Sequence, residues 1–128
     1  MPSTRIETRA GWIGDRHAAL IAAVQRALVE GLRIPENDRC IRVLEYPEHA
    51  FAPPPGRGEN YTVIEICLFS GRSLDARRRL FAALAREFAA FGVAAADLKV
   101  CLIEVPRENW GLRGQSAIDI ELSFRIEV

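Results

Sequence analysis

Residues 62–105 read TVIEICLFSGRSLDARRRLFAALAREFAAFGVAAADLKVCLIEV, and the fold class follows from this stretch. Its two ends, Thr62 to Phe69 and Lys99 to Val105, are β-branched and apolar, as buried strands are. Between them Leu80, Leu84, Phe88 and Phe91 recur at helical spacing, which leaves Arg78, Arg79 and Arg86 on other faces. Ser73 is placed to cap the helix start, Asp75 adds negative charge to its first turn, and Gly92 follows as a C-cap. A strand–helix–strand unit of this length predicts parallel strands joined by a right-handed crossover.

The same unit occurs once before. Asp15, Leu20, Ala22, Ala23 and Arg26 match Asp75, Leu80, Ala82, Ala83 and Arg86 at an offset of 60. Asp38, Glu45 and Pro47 match Asp97, Glu104 and Pro106 at 59, with Phe51 and Trp110 as aromatic partners in that register. Ile6-Glu7 matches Ile64-Glu65 at 58. Two copies of one unit are too few for a solenoid and predict a fused pseudo-dimer. In the first copy a strand is expected over Arg5 to Arg9 and a helix from about Asp15, carrying Leu20, Val24 and Leu28. Gly31 and Pro35 are expected to stop that helix, and Cys40 to Tyr46 forms the second strand. The proline- and glycine-rich segment HAFAPPPGRGEN, residues 49–60, reads as a linker. Ala117 to Val128 alternates apolar and polar residues and predicts an edge strand that needs pairing.

With 128 residues, 49% of them hydrophobic and 27% charged, the chain fits one soluble domain with a real core. Lys+Arg and Asp+Glu both total 17, so no net field draws it to nucleic acid or an anionic membrane. Lys99 is the only lysine; the arginine excess fits GC-rich bacterial coding and also suits small carboxylates. Cys40, Cys67 and Cys101 have neither disulfide-framework nor zinc spacing, and Cys67 and Cys101 read as buried structural thiols. No apolar run approaches a membrane span and no signal-peptide core is present, so a cytoplasmic location is expected.

Chemistry-bearing residues are few. Pro2 follows the initiator methionine, and its removal leaves a secondary amine whose ordinary pKa, about 7.7–8.0, lies close to neutrality. Cationic surroundings lower that value and make a general base, whereas a nearby carboxylate keeps a cationic acid. The alternative is a proline merely tolerated in second place. His17 and His49 lack the spacing of a metal site or triad and read as solvated. Arg77, Arg78 and Arg79 fan around one helix and read as an exposed face.

Pro2, the segment Ile34-Pro35-Glu36-Asn37-Asp38-Arg39, Gly71-Arg72-Ser73 after a strand, and the late Asn109-Trp110-Gly111 together resemble the tautomerase superfamily. The likeness extends over nearly the whole chain and is greatest to the malonate semialdehyde decarboxylase group. It implies an α+β fold: one domain, 1–128, with two fused β-α-β units at about 2–48 and 61–110. These make a four-stranded mixed sheet with two helices on one face, a linker at 49–60 and a C-terminal edge segment at 111–128. The resemblance implies that Pro2 is the catalytic amine, that Arg72 grips a substrate carboxylate, and that Asp38 tunes the proline or activates water. Trp110 and Leu112 would furnish the apolar wall of the substrate pocket. Solvated arginine, turn aspartate and core or subunit-contact tryptophan are the alternatives for Arg72, Asp38 and Trp110. The decarboxylase group carries a second arginine near the junction, where this chain has Phe69 and Ser70; Arg113 is the candidate substitute. The expected activity is tautomerisation or decarboxylation of a small oxo carboxylic acid by a homotrimer, with no metal or organic cofactor. The alternative is a non-catalytic trimeric binding protein on the same scaffold.

Overall fold

The computed structural model describes residues 2–128. Strand β1 (Ser3–Arg9), helix α1 (His17–Leu32) and strand β2 (Ile41–Tyr46) form the first unit. Strand β3 (Thr62–Phe69), helix α2 (Leu74–Ala89) and strand β4 (Leu98–Val105) form the second. A two-stranded hairpin, β5 (Gly111–Leu112) and β6 (Gln115–Ser116), follows. The four long strands make one mixed sheet in the order β2-β1-β3-β4. Each unit pairs its own strands in parallel, and the units join antiparallel through β1 and β3. Ile6 faces Ile64 at the centre of that seam, so a pseudo-twofold passes between them.

Alternation along the strands decides which face is buried. Thr4, Ile6 and Thr8 on β1, and Thr62, Ile64 and Ile66 on β3, are fully buried beneath the helices. Leu20, Val24 and Leu28 from α1 and Leu80, Leu84 and Phe88 from α2 close the core over them. The opposite face carries a polar ladder, with Arg5 paired to Glu7 and Glu65, and Tyr46 Oη donating to Glu7 at 2.5 Å. Leu44 and Ile103 are exposed on that face. No helix among the described residues is long and apolar enough to cross a membrane.

The helix ends show which signals operate. Ser73 caps α2 by accepting from the Ala76 N–H at 3.0 Å. Gly31 does not stop α1, because the helix runs through it to Leu32 and ends at Arg33 in a left-handed conformation. Gly31 serves packing instead: a Cβ there would lie 2.6 Å from the Leu80 Cα, so its absence lets α1 and α2 approach closely.

Two other expectations are corrected. Cys101 is exposed and Cys67 only half-buried, because both lie on the sheet face away from the helices. The alternating tail forms no strand beyond the short hairpin. Its main-chain oxygens are taken by side chains instead of a ladder: Arg107 donates to Ala117 and Ile120, and Ser73 and Arg79 both donate to Val128.

Candidate active site

Three chain segments meet at one corner of the sheet. They are the start of β1, the loop that leads from α1 into β2, and the end of β3. The Thr4 N–H donates to the Cys40 carbonyl at 3.0 Å, and Ser3 is paired with Cys67. Continuing the parallel register two residues back from the Thr4–Ile41 pair brings Pro2 beside Arg39, next to Asp38. Pro2 is buried; Met1 lies outside the described residues.

The loop bearing Asp38 is held from inside. Gln25 of α1, only 8% exposed, donates its Nε2 to the carbonyls of Glu36 at 3.1 Å and Asp38 at 3.0 Å. The Asp38 N–H in turn donates to the Pro35 carbonyl at 3.1 Å. This clamp gives Gln25 a positioning role that no motif announced, since a glutamine within an apolar helix pattern looks like a surface residue.

A cleft of about 340 Å³ opens at this corner. Asp38 and Leu112 both line it, with Asn37, Arg113, Glu121 and Phe124 around them. Arg72 lies below, 4% exposed, with its Nη1 donating to the Leu32 carbonyl at 2.5 Å and the Arg125 carbonyl at 3.3 Å. Phe124 covers it, the ring centroid 5.6 Å from the guanidinium carbon. Burial, reinforced by the positive charge of nearby Arg79, pushes the Arg72 guanidinium below its ordinary range. Its Nε has no hydrogen-bond partner among the described residues.

Trp110 stands behind this group and does not line the cleft itself. It meets Phe69 edge to face at 5.3 Å, and Phe69 stacks on Phe124 at 6.4 Å. Its indole N–H donates to the Val105 carbonyl at 3.1 Å. Phe69 thus anchors an aromatic row, Trp110–Phe69–Phe124, that ends over Arg72. The structure therefore gathers Asp38 and Leu112 at the cleft, puts Arg72 beneath its aromatic cover, and leaves Trp110 one ring removed. Phe124 is the residue that sequence reasoning missed, because the tail's alternation pointed to a strand.

The pseudo-twofold creates a second corner with different chemistry. Gly11 and Gly71 both take positive φ, 126° and 114°, at matching strand-to-helix junctions. Trp12 follows the first glycine where Arg72 follows the second, and its indole N–H is bound to Thr8 Oγ1 at 2.8 Å. Asn60 holds the place matching Pro2 and lies within the chain, with its Nδ2 donating to the Gly92 carbonyl at 2.7 Å. That corner has no arginine in the place of Arg72 and no terminal amine; its arginine is Arg9, which donates its Nε to the Phe51 carbonyl at 3.0 Å and lines a cleft of about 370 Å³ with Gly11 and Trp12.

A larger groove, about 420 Å³, runs along α1 past Arg26, Glu30 and Arg39. Its Arg26 and Glu30 are tied up in ion pairs with Glu87 and Arg86 of α2, which strap the two helices together. Among the described residues no group of three His, Cys, Asp or Glu side chains is arranged to hold a metal ion.

Residues 38–113 match the family described as tautomerase enzyme. Among solved structures, a native fused 4-OT is 25% identical with a TM-score of 0.82, over 91% of this chain and 96% of that one. A malonate semialdehyde decarboxylase inhibited by 3-bromopropiolate is 29% identical with a TM-score of 0.72, over 90% and 92%. A wild-type fused 4-OT forming an asymmetric trimer is 24% identical with a TM-score of 0.81, over 91% and 96%.

Proposed function

The chain belongs to the tautomerase family, and on that premise we propose that it uses the amine of an unblocked Pro2 to tautomerise or decarboxylate a small oxo carboxylic acid. The observation that carries this reading is the meeting of Pro2, the Asp38 loop and the Arg72 junction at a single corner with a cleft beside it. In tautomerisation, neutral Pro2 removes the proton α to the carbonyl and returns it at the far end of the enol system. In decarboxylation, cationic Pro2 holds the 3-oxo group, carbon dioxide leaves with its bonding electrons left on the α-carbon, and the resulting enolate is reprotonated. Proton transfer by a positioned group contributes about 10²–10⁴-fold.

Asp38 favours the cationic form of the amine in the second pathway, because a neighbouring carboxylate stabilises positive charge. The 29% identical malonate semialdehyde decarboxylase supports that pathway. Arg72 binds the substrate carboxylate once that group replaces the Arg125 carbonyl on the guanidinium. Leu112 and the aromatic row of Phe69, Phe124 and Trp110 keep water from the reacting carbons. We assign the working assembly as a homotrimer, on the likeness to the trimeric fused 4-OT and the exposed Leu44 and Ile103 on the open sheet face.

The test is a turnover assay on small enol and 3-oxo acids, comparing the chain that starts at Pro2 with one carrying an uncleaved residue before it. Activity confined to the free amine is expected. Equal activity in both, or ligand binding without turnover in a broad screen, contradicts the proposal, and the second outcome favours a binding protein.

A further inference from the structure

We propose that the second corner of the sheet, the pseudo-twofold image of the Pro2 corner, is a binding site for a free α-amino acid with an apolar side chain. Such a site does not depend on the reaction assigned to Pro2. Its cleft, about 370 Å³, is of the size that small ligands occupy, and Arg9, Trp12, Glu48 and Glu59 line it. The charges around it are opposite and unpaired. Arg9 spends its Nε on the Phe51 carbonyl at 3.0 Å, which steadies the side chain. Its two Nη groups have no hydrogen bond or ion pair among the described residues, so four N–H donors stay open. The exposed carboxylates of Glu48 and Glu59 likewise have no bonded partner among the described residues. Elsewhere on the surface such groups do pair, as Arg5 does with Glu7, Arg77 with Glu104 and Arg86 with Glu30. One guanidinium and two carboxylates that share a cavity without reaching each other fit a molecule that carries both charges itself.

The uncharged wall is fixed as well. The Trp12 indole N–H donates to Thr8 Oγ1 at 2.8 Å, and fully buried Thr8 donates in turn to the Tyr61 carbonyl at 2.8 Å. The half-buried indole is thereby tied to the end of β1 and forms one side of the cleft. A zwitterion sets its carboxylate on the Arg9 Nη groups, its ammonium toward Glu48 and Glu59, and its side chain against the Trp12 ring. A plain carboxylic acid meets the two glutamates as like charges, and a plain amine meets Arg9 in the same way. Asn60 stands where the first corner has Pro2, so the ligand is held here and not converted.

Amide-shift NMR titration of the full chain with L-leucine tests this. The comparisons are 4-methylpentanoate, which is leucine without its ammonium, 3-methylbutylamine, which lacks the carboxylate, and glycine, which lacks the side chain. The expected result is saturable leucine shifts at residues 9–12, 48 and 59 and at the Trp12 indole N–H. Each single-charge analogue should bind at least ~10-fold more weakly than leucine, and glycine several-fold more weakly. Arg9→Gln should weaken leucine ~10-fold or more and leave 3-methylbutylamine no worse bound. Glu48→Gln combined with Glu59→Gln should weaken leucine and leave 4-methylpentanoate no worse bound. Both glutamates are exposed, so this double variant should keep its melting temperature and decides the matter even where Arg9→Gln loses stability with the Phe51 bond. No saturable leucine shift, shifts confined to 37–38 and 112–113, a single-charge analogue bound as tightly as leucine, or unchanged leucine affinity in the glutamate double variant would each overturn the proposal.

Discussion

Phe124 lies over the guanidinium of Arg72, its ring centroid 5.6 Å from Cζ, while the carbonyl of the next residue accepts a hydrogen bond from the same arginine. The irregular tail thus seals the arginine at the end of β3 and ties the Leu32 end of α1 to it. The proposed carboxylate grip and the stability of the tail therefore rest on this one side chain.

Replacing Arg72 with alanine should therefore affect both. The buried Leu32 carbonyl and the part-buried Arg125 carbonyl would lose their donor, at a cost of about 1–3 kcal/mol, read as a lowered urea midpoint. If the same guanidinium also takes substrate, kcat/KM for an oxo carboxylic acid should fall at least ~10-fold further than for its uncharged ester. Equal losses on acid and ester would mean that Arg72 only holds the tail.

Gly31→Ala should destabilise the protein although alanine is the better helix former. The gain in helix propensity is up to ~1 kcal/mol, but the added methyl meets the α2 backbone at Leu80. Overpacking of this kind costs about 1–3 kcal/mol, so the urea midpoint should drop. A midpoint that rises would show that the two helices have room to separate.

The Arg26–Glu87–Arg86–Glu30 network that straps α1 to α2 predicts a mild acid sensitivity. The hydrogen bond from Arg26 holds the Glu87 carboxyl below its usual range, and Arg86 does the same for Glu30. A carboxylate with a lowered folded-state pKa stabilises the fold fully above its ordinary value near 4.5, and that contribution fades as pH falls through the lowered value. Partners this exposed make the effect small, about 1 kcal/mol at most for Glu87. Glu87→Gln should flatten the dependence of melting temperature on pH below about 4.5 and leave neutral pH little changed.

Much of this architecture was legible because periodicity is a local property. The β-branched apolar run at 62–69 and the 80-84-88 spacing are both local signals, and the structure has β3 at Thr62–Phe69 and α2 over Leu74–Ala89. Gly31 reads as a stop because a glycine near the end of an apolar helical pattern resembles a helix end; what requires it is Leu80, distant in sequence. Cys101 sits among apolar neighbours, but alternation turns it to the opposite face. At the candidate site, Asp38 and Leu112, far apart in sequence, line one cleft. The cover over Arg72 was hidden, because Phe124 belongs to a segment whose alternation mimics a strand and whose carbonyls are bound by distant arginines. Such long-range side-chain bonds leave no periodic trace.

The central claim is that the reacting group is the amine of Pro2, and labelling tests it most directly. Protein purified from cells is incubated with 3-bromopropiolate, the inhibitor of the decarboxylase relative, then weighed intact and mapped by peptide mass. The account predicts a chain that starts at Pro2 and gains one covalent addition, on residue 2, as turnover is lost. Active protein that retains Met1, or inactivation with the addition on any other residue, would contradict it.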